Sequence, residues 1–310
     1  MFLERTHQSA SCTTLVSKSA RQTIFAHDSI PKAPHLRSPL IYAGNKAPLA
    51  AFTASLFPAD SAKRDWVEPF VGSAGLLLNA PKCRRYVLSD INHYLTELLL
   101  ATRDHFPELA KEVKKLFTLE NNCADRYNEI RRMFNTELTG VKKSAAFLYL
   151  NRHCFNGVVR CNRAGAFNSA FGHRSSVITP LAELKSLGAF LAGVTKIKAC
   201  DFEETLAGIR HPSLVLLDSP YLPSEDGQPC FTGYAGTSFG IDRHNAIAEW
   251  GTRLSDAGHH VFVFNNDSSA ARRIHSKAQE IHTWPAYRRV SRNVATRGMA
   301  QEFLAIYRPR

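Results

Sequence analysis

The chain has 310 residues, 44% hydrophobic and 21% charged, the composition of a globular protein with room for one large domain or two smaller ones. Its 39 Lys+Arg against 27 Asp+Glu leave a net charge of +12, which favours a polyanionic partner, although a generally basic soluble surface gives the same balance. The 7 cysteines are odd in number, scattered and free of any C-x-x-C pair, which argues for a reducing cytosol and against a disulfide scaffold or a zinc site; no apolar run approaches the ~20 residues of a membrane span, so a soluble protein is expected.

Residues 1–37 are rich in Ser, Thr, His and scattered Lys/Arg, with little apolar periodicity, and read as a poorly ordered extension. Their composition faintly resembles a transit peptide, against which Glu4 and Asp28 count. From residue 38 helix and strand alternate. Lys46 to Phe57 is helix-like, and Trp66 to Phe70 is a strand ending in the turn Gly72-Ser73-Ala74-Gly75, with a helix beginning at Leu76. Tyr86 to Asp90 is a second strand ending in an acid, followed by an apolar helix from His93 to about Thr102. Residues 100–190 read as helical near Pro107–Phe117, Ala124–Asn135 and Ser144–Arg152, then loosen into a stretch dense in Arg, Asn and Gly. Thr195–Ala199, Leu214–Leu217 and His260–Phe264 supply further strands, so the fold class is α/β with a doubly wound, largely parallel sheet.

Ligands of such sheets bind beyond the carboxyl ends of the strands. Four features fall on that rim: the glycine turn after Phe70, Asp90, Asp201-Phe202 and Asp218-Ser219-Pro220-Tyr221. The glycines let backbone N–H groups approach a ligand, and an acid ending the next strand can accept from two ribose hydroxyls, which suits a nucleoside-containing cofactor. The spacing is neither G-x-G-x-x-G nor a P-loop, so a small nucleoside ligand fits better than a dinucleotide or a nucleoside triphosphate. Asp90 serves equally well as a helix N-cap.

The tetrapeptide at 218–221 has its own chemistry. An aromatic amine is a poor nucleophile because its lone pair is delocalised into the ring. The Asp218 carboxylate and the Ser219 carbonyl can each accept one N–H and draw that lone pair out, Pro220 biases Ser219 toward an extended conformation, and Tyr221 offers a face for stacking. A strand end plus a turn, with Tyr221 in the core, explains the same four residues.

Five segments in order, Tyr42-Ala43-Gly44-Asn45-Lys46, EPFVGSAG (68–75), LSDIN (88–92), YLNRHCFNGVVRCNRAGAFN (149–168) and the DSPY motif, together resemble the Dam-type (D12 class) DNA adenine-N6 methyltransferases from about residue 37 to 307. The resemblance implies a Rossmann-like S-adenosylmethionine-dependent methyltransferase sheet (38–100 and 191–310) with an inserted helical target-recognition domain (101–190). It implies S-adenosylmethionine as methyl donor, no metal, and double-stranded DNA as partner, for a cytoplasmic monomer or weak dimer. Tyr42, Lys46, Glu68, Phe70, Gly72, Asp90, Asp201, Phe202 and Asp218 would hold the cofactor, and Asp218, Pro220 and Tyr221 would be catalytic. Packing alone also accounts for Tyr42, and an exposed position at a helix start for Lys46.

The loop His153–Asn162 resembles the family's hairpin that enters duplex DNA. There Arg160 can grip guanine O6/N7, Val158 can pack on a thymine methyl, Asn156 can bond an orphaned base edge, and Phe155 can wedge into the gap left by a flipped adenine. A polar surface loop is the plainer reading. The Pro/Gly-rich loop Leu222–Gly240 resembles a segment that closes over the extruded base, and the basic tail Arg288–Arg297 matches the family's end region. Ser219 stands where most relatives have proline. Methylation of adenine N6, in GATC, is the first expectation and a DNA-binding protein with impaired catalysis the alternative; cytosine N4, RNA or a protein glutamine as acceptor is a weaker third.

Overall fold

The computed structural model describes residues 13–15, 21–24, 35–42, 44–222, 239–287 and 299–309. Its centre is a nine-stranded sheet built from β1 (Thr13–Leu15), β2 (Arg21–Ile24), β3 (Asp65–Glu68), β4 (Arg85–Asp90), β5 (Lys196–Ala199), β6 (Ser213–Leu217), β7 (His260–Asn266), β8 (Glu280–Tyr287) and β9 (Met299–Tyr307). Their spatial order is β1-β2-β8-β9-β7-β6-β3-β4-β5. β5, β4, β3, β6 and β7 run parallel, and β9 inserts antiparallel between β7 and β8.

The central strands β6 and β7 are buried on both faces because apolar side chains occupy both parities. In β6, Leu214 and Leu216 join one core while Val215 and Leu217 join the other; β7 divides Phe262 and Phe264 from Val261 and Val263 in the same way. Helices α1 (Ala50–Ser55) and α6 (Leu181–Leu191) contribute to the first core, and α8 (Ile241–Asp256) and α9 (Ser269–Ile274) to the second. Both cores are fully apolar at their centres, with Leu214, Leu216, Val215 and Val261 at 0% exposure.

A third core lies in the helical region of α3 (Phe106–Leu116), α4 (Ala124–Thr136) and α5 (Gly140–His153). Helix α2 (His93–Asp104) serves two cores, with Leu95 and Leu98 facing the helical cluster and Leu99 the sheet. Helix α6 does the same through Leu184 on one side and Leu187 and Leu191 on the other. The helices are therefore welded to the sheet along two shared elements.

Residues 1–37, expected to lack order, contribute two strands. Arg21–Ile24 pairs in parallel with β8, and Thr13–Leu15 adds outside it. The β-branched Thr23 and Ile24 suit a pleated surface, and the edge of β8 offers unpaired backbone groups that such a segment can satisfy. The other departures are local: the helix expected over Lys46–Phe57 divides into a 3-10 turn at Ala47–Leu49 and α1, and Leu77–Asn79 makes only one 3-10 turn.

The chain leaves β3 toward β4 on one side, whereas β6 lies on the other, so the order of the strands reverses between the parallel neighbours β3 and β6. A crevice opens at the carboxyl ends of strands on either side of such a reversal. Glu68 ends β3 and Asp218 follows β6.

Candidate active site

Lys46 reaches this crevice from outside the sheet. Its Nζ lies 3.1 Å from Asp218 Oδ1, donates to the Gly44 carbonyl at 2.6 Å, and stands 4.9 Å from the centre of the Tyr221 ring. At 5% exposure it is no surface lysine at a helix start, which removes that alternative. Burial works against its charge, yet Asp218 and Glu302 outweigh burial and hold its pKa above the ordinary lysine value.

Three carboxylates crowd the same place. Asp218 is pushed upward by burial and by Glu302, an effect that Lys46 and the Tyr221 hydroxyl oppose. Glu68 is buried at the end of β3, where its Oε2 accepts from Trp66 Nε1 at 2.9 Å, and burial lifts its pKa to about 8. Asp90 Oδ2 accepts from the Gly72 N–H at 3.0 Å and Oδ1 from the Asn92 N–H at 2.9 Å, while burial still raises its pKa to about 6. Asp90 is not the cap of α2, because Asn92 fills that role by accepting from the Tyr94 N–H at 3.1 Å.

The glycine turn closes against an aromatic ring. Gly72 has φ +48°, and a Cβ there would lie 3.1 Å from Tyr42 Cε1. A side chain at 72 would therefore meet both backbone strain and the ring. Phe70 packs on Phe202 with ring centres 5.3 Å apart, Phe239 packs against both, and the Arg243 guanidinium sits 4.4 Å above the Phe202 ring. Asp201 caps α7 (Phe202–Ala207) by accepting from the Glu203 N–H at 3.0 Å and also pairs with Arg243. Its partial burial opposes ionisation, and Arg243 with the cap holds its pKa below the usual aspartate value. Asp201 and Phe202 thus stand on the same rim as Phe70, with Phe202 buried at 2% exposure.

In the tetrapeptide, Asp218, Pro220 and Tyr221 are half-buried and Ser219 is 2% exposed. The Ser219 hydroxyl has no hydrogen-bond partner among the described residues. The Tyr221 hydroxyl lies 3.5 Å from Glu302 Oε2, and the Leu222 N–H donates to Asn265 Oδ1 at 3.2 Å. Glu302 and Asn265 escaped the sequence reading. Glu302 had a signal in a polar residue beside the apolar run of β9, whereas Asn265, the last residue but one of β7, has nothing local to mark it.

Residues 155–160 stand apart from this crevice, at the end of α5. Phe155 is 61% exposed, Asn156 takes φ 55°, and the bridges Cys154–Phe171 and Cys161–Phe167 make the segment a hairpin-like excursion. Val158 is half-buried, and Arg160 is exposed with its N–H on Ser169 Oγ at 2.9 Å. Most of the expected closing loop (223–238) and the basic tail through Arg297 lie outside the described residues. Among the described residues no helix is long and apolar enough to cross a membrane.

Comparison with known proteins now bears on this arrangement. The DNA adenine methylase of Vibrio cholerae serotype O1 is 35% identical over 247 residues, covering 79% of this chain and 88% of that protein. That of Escherichia coli K12 is 32% identical over 279 residues, 88% of this chain and 96% of its own length. A looser likeness, to the rRNA methyltransferase AviRa of Streptomyces viridochromogenes, has a TM-score of 0.31 at 16% identity over 91% of this chain and 89% of that one, and adds nothing to the assignment. The profile of the D12 class N6 adenine-specific DNA methyltransferases matches residues 42–290, a span that takes in Tyr42, Lys46, the glycine turn, the excursion at 155–160 and Asp218–Tyr221. The chain belongs to that family, and is a DNA adenine methyltransferase.

Proposed function

We propose that the protein uses S-adenosylmethionine to methylate adenine N6 in duplex DNA, reading GATC. The observation that carries this reading is the acidic cluster at the reversal of strand order: buried Glu68 and Asp90 and half-buried Asp218, with buried Lys46 paired to Asp218. Buried carboxylates with raised pKa values are poised to ionise against a cation. S-adenosylmethionine brings a sulfonium and an ammonium group, and when bound supplies an electrophilic methyl carbon. The residues fit it: Gly72 leaves a backbone approach beneath the Tyr42 ring, and Asp90 retains lone pairs for hydroxyl donors beyond its two backbone bonds. Tyr42, Lys46, Glu68, Phe70, Gly72, Asp90, Asp201 and Phe202 make up the holding shell in this proposal.

Asp218 would accept a hydrogen bond from one N6–H and the Ser219 carbonyl from the other, which would localise the amine lone pair for attack, and the N6 proton displaced on methylation would leave by way of the Asp218 carboxylate. Pro220 keeps that carbonyl extended, and Tyr221 stacks on the base. Residues 101–190 form the recognition domain, where Phe155 fills the space of the extruded adenine and Asn156, Val158 and Arg160 read base edges. The catalytic part is 38–100 with 191–310, in a cytoplasmic protein acting as monomer or weak dimer. Incubation with labelled S-adenosylmethionine and unmethylated duplex, followed by cleavage with methylation-sensitive enzymes, tests the proposal. Label in N6-methyladenine at GATC is expected. Duplex binding without label transfer, or label on another acceptor, would reject it.

A further inference from the structure

The excursion at 155–160 and the cofactor strap at 41–46 are held by one buried amide. Asn151, at 0% exposure in the last turn of α5, accepts from the Ile41 N–H at 2.8 Å, donates to the Ile41 carbonyl at 2.8 Å, and donates to the Gly157 carbonyl at 3.1 Å. The two residues it joins are far apart in sequence, Ile41 lying 110 positions before Asn151. A steric contact runs in parallel with these bonds. Gly157 has φ +67°, and a Cβ on it would stand 2.3 Å from Ile41 Cγ2 and 2.6 Å from Ile41 Cβ, so the turn rests directly on the Ile41 side chain.

On one side of this clamp, Gly157 closes the 3-10 turn that carries the exposed Phe155 and Asn156. On the other, Ile41 is followed at once by Tyr42, whose ring roofs Gly72, and Gly72 binds Asp90. A displacement of the turn is therefore passed to the roof of the glycine cradle through three hydrogen bonds and a tight contact.

We infer that Asn151 is a positioning residue through which engagement of the duplex by 155–160 and closure of Tyr42 over the cofactor become energetically coupled. The inference rests on the proposed function of both segments. Coupling between two binding sites is reciprocal, so each ligand tightens the other by one factor, commonly in the range of about 5–150-fold. Asn151→Asp keeps the shape and the bond from the Ile41 N–H but sets a carboxylate against two carbonyl oxygens. Gly157→Ala keeps the amide and pushes the strap from the other side.

The test measures the dissociation constant of a fluorescent GATC duplex by anisotropy, with and without a saturating unreactive analogue, sinefungin, for wild type and both variants, after thermal melting confirms folding. The expected result is duplex binding tightened about tenfold or more by sinefungin in the wild type. That ratio should collapse toward one in Asn151→Asp and in Gly157→Ala while each ligand alone still binds. A merely structural role would weaken each ligand and leave the ratio intact. A wild-type ratio near one, or the wild-type ratio retained in the variants, would overturn the coupling. Should Asn151→Asp not fold, Gly157→Ala decides alone. Wild-type protein that binds neither sinefungin nor duplex would instead sink the function proposed above.

Discussion

Lys46 Nζ stands 3.1 Å from Asp218 Oδ1, and this ion pair joins the segment ahead of the sheet to the tetrapeptide after β6. Burial and Glu302 push Asp218 toward its protonated form, and Lys46 is the principal group that opposes them. A protonated Asp218 would be a weaker acceptor than the carboxylate and would polarise the proposed N6–H less. Lys46→Met is therefore expected to raise the Asp218 pKa further and to move the acid limb of the kcat/KM profile to higher pH. Activity on the acid side of the profile should fall and recover in part as pH rises. An equal loss at every pH would show that Lys46 acts by packing or by direct contact with a ligand instead.

Glu68 gives a second pH signature, in binding and in stability. Its pKa rises from 4.5 to about 8 on folding, so the native state prefers the protonated carboxyl. That contribution to stability is fully present below the unfolded value and is lost as pH rises through about 8. A cationic cofactor prefers the ionised form, so its affinity should increase with pH across the same window, and binding at pH 7 should release protons. Titration calorimetry in two buffers of different ionisation enthalpy measures that release. Glu68→Gln should flatten the stability profile between pH 5 and 8 and reduce proton release toward the smaller contribution of Asp90, whose pKa is raised to about 6. Unchanged proton release in Glu68→Gln would contradict this assignment.

The sheet was legible because period and boundary signals agreed. Trp66–Phe70, Tyr86–Asp90 and Leu214–Leu217 are short apolar runs ending in acids or glycine, and they are β3, β4 and β6 to within a residue or two. Strands β8 and β9 were not legible. Glu280–Tyr287 carries His282, Thr283 and Pro285, and its strand character comes from eight paired positions with β9, a long-range contact no local window contains. Within the site, Asp90, Asp218 and Tyr221 were visible at strand ends, whereas Asn151 was hidden inside an apolar helix. Its role depends on two backbone groups from distant parts of the chain, Ile41 and Gly157. Nothing about an asparagine in a helix announces such partners.

Phe155 separates recognition from folding with unusual clarity. The ring is 61% exposed and belongs to no core, so Phe155→Ala should leave the thermal midpoint within a degree or so of wild type. Loss of a stacking or wedging contact in a duplex is worth about 1–3 kcal/mol, which corresponds to roughly 5–150-fold in the affinity for an extruded-base complex. A duplex carrying 2-aminopurine at the target adenine reports extrusion by its fluorescence rise, and that rise should be lost in the variant. Retention of the full rise would leave Phe155 without the proposed role.

Ser219 stands where the family resemblance leads one to expect proline, and its surroundings indicate the direction of the consequence. The hydroxyl is buried and has no hydrogen-bond partner among the described residues. An unpaired hydroxyl in such a place costs about 1–3 kcal/mol. Its backbone N–H also donates to no partner among the described residues, so proline would remove no hydrogen bond there. Proline would further restrict the unfolded chain and favour an extended Asp218, as a residue leaving a strand already tends to be. Ser219→Pro is expected to raise the thermal midpoint by about 2–4 °C for each kcal/mol gained. Turnover should be preserved or increased, because the carbonyl proposed to accept from N6–H remains. Differential scanning calorimetry and a single-turnover methylation assay check the two halves separately. A folded Ser219→Pro protein with turnover reduced tenfold would mean that the serine hydroxyl takes a partner in the complex and is used in this enzyme.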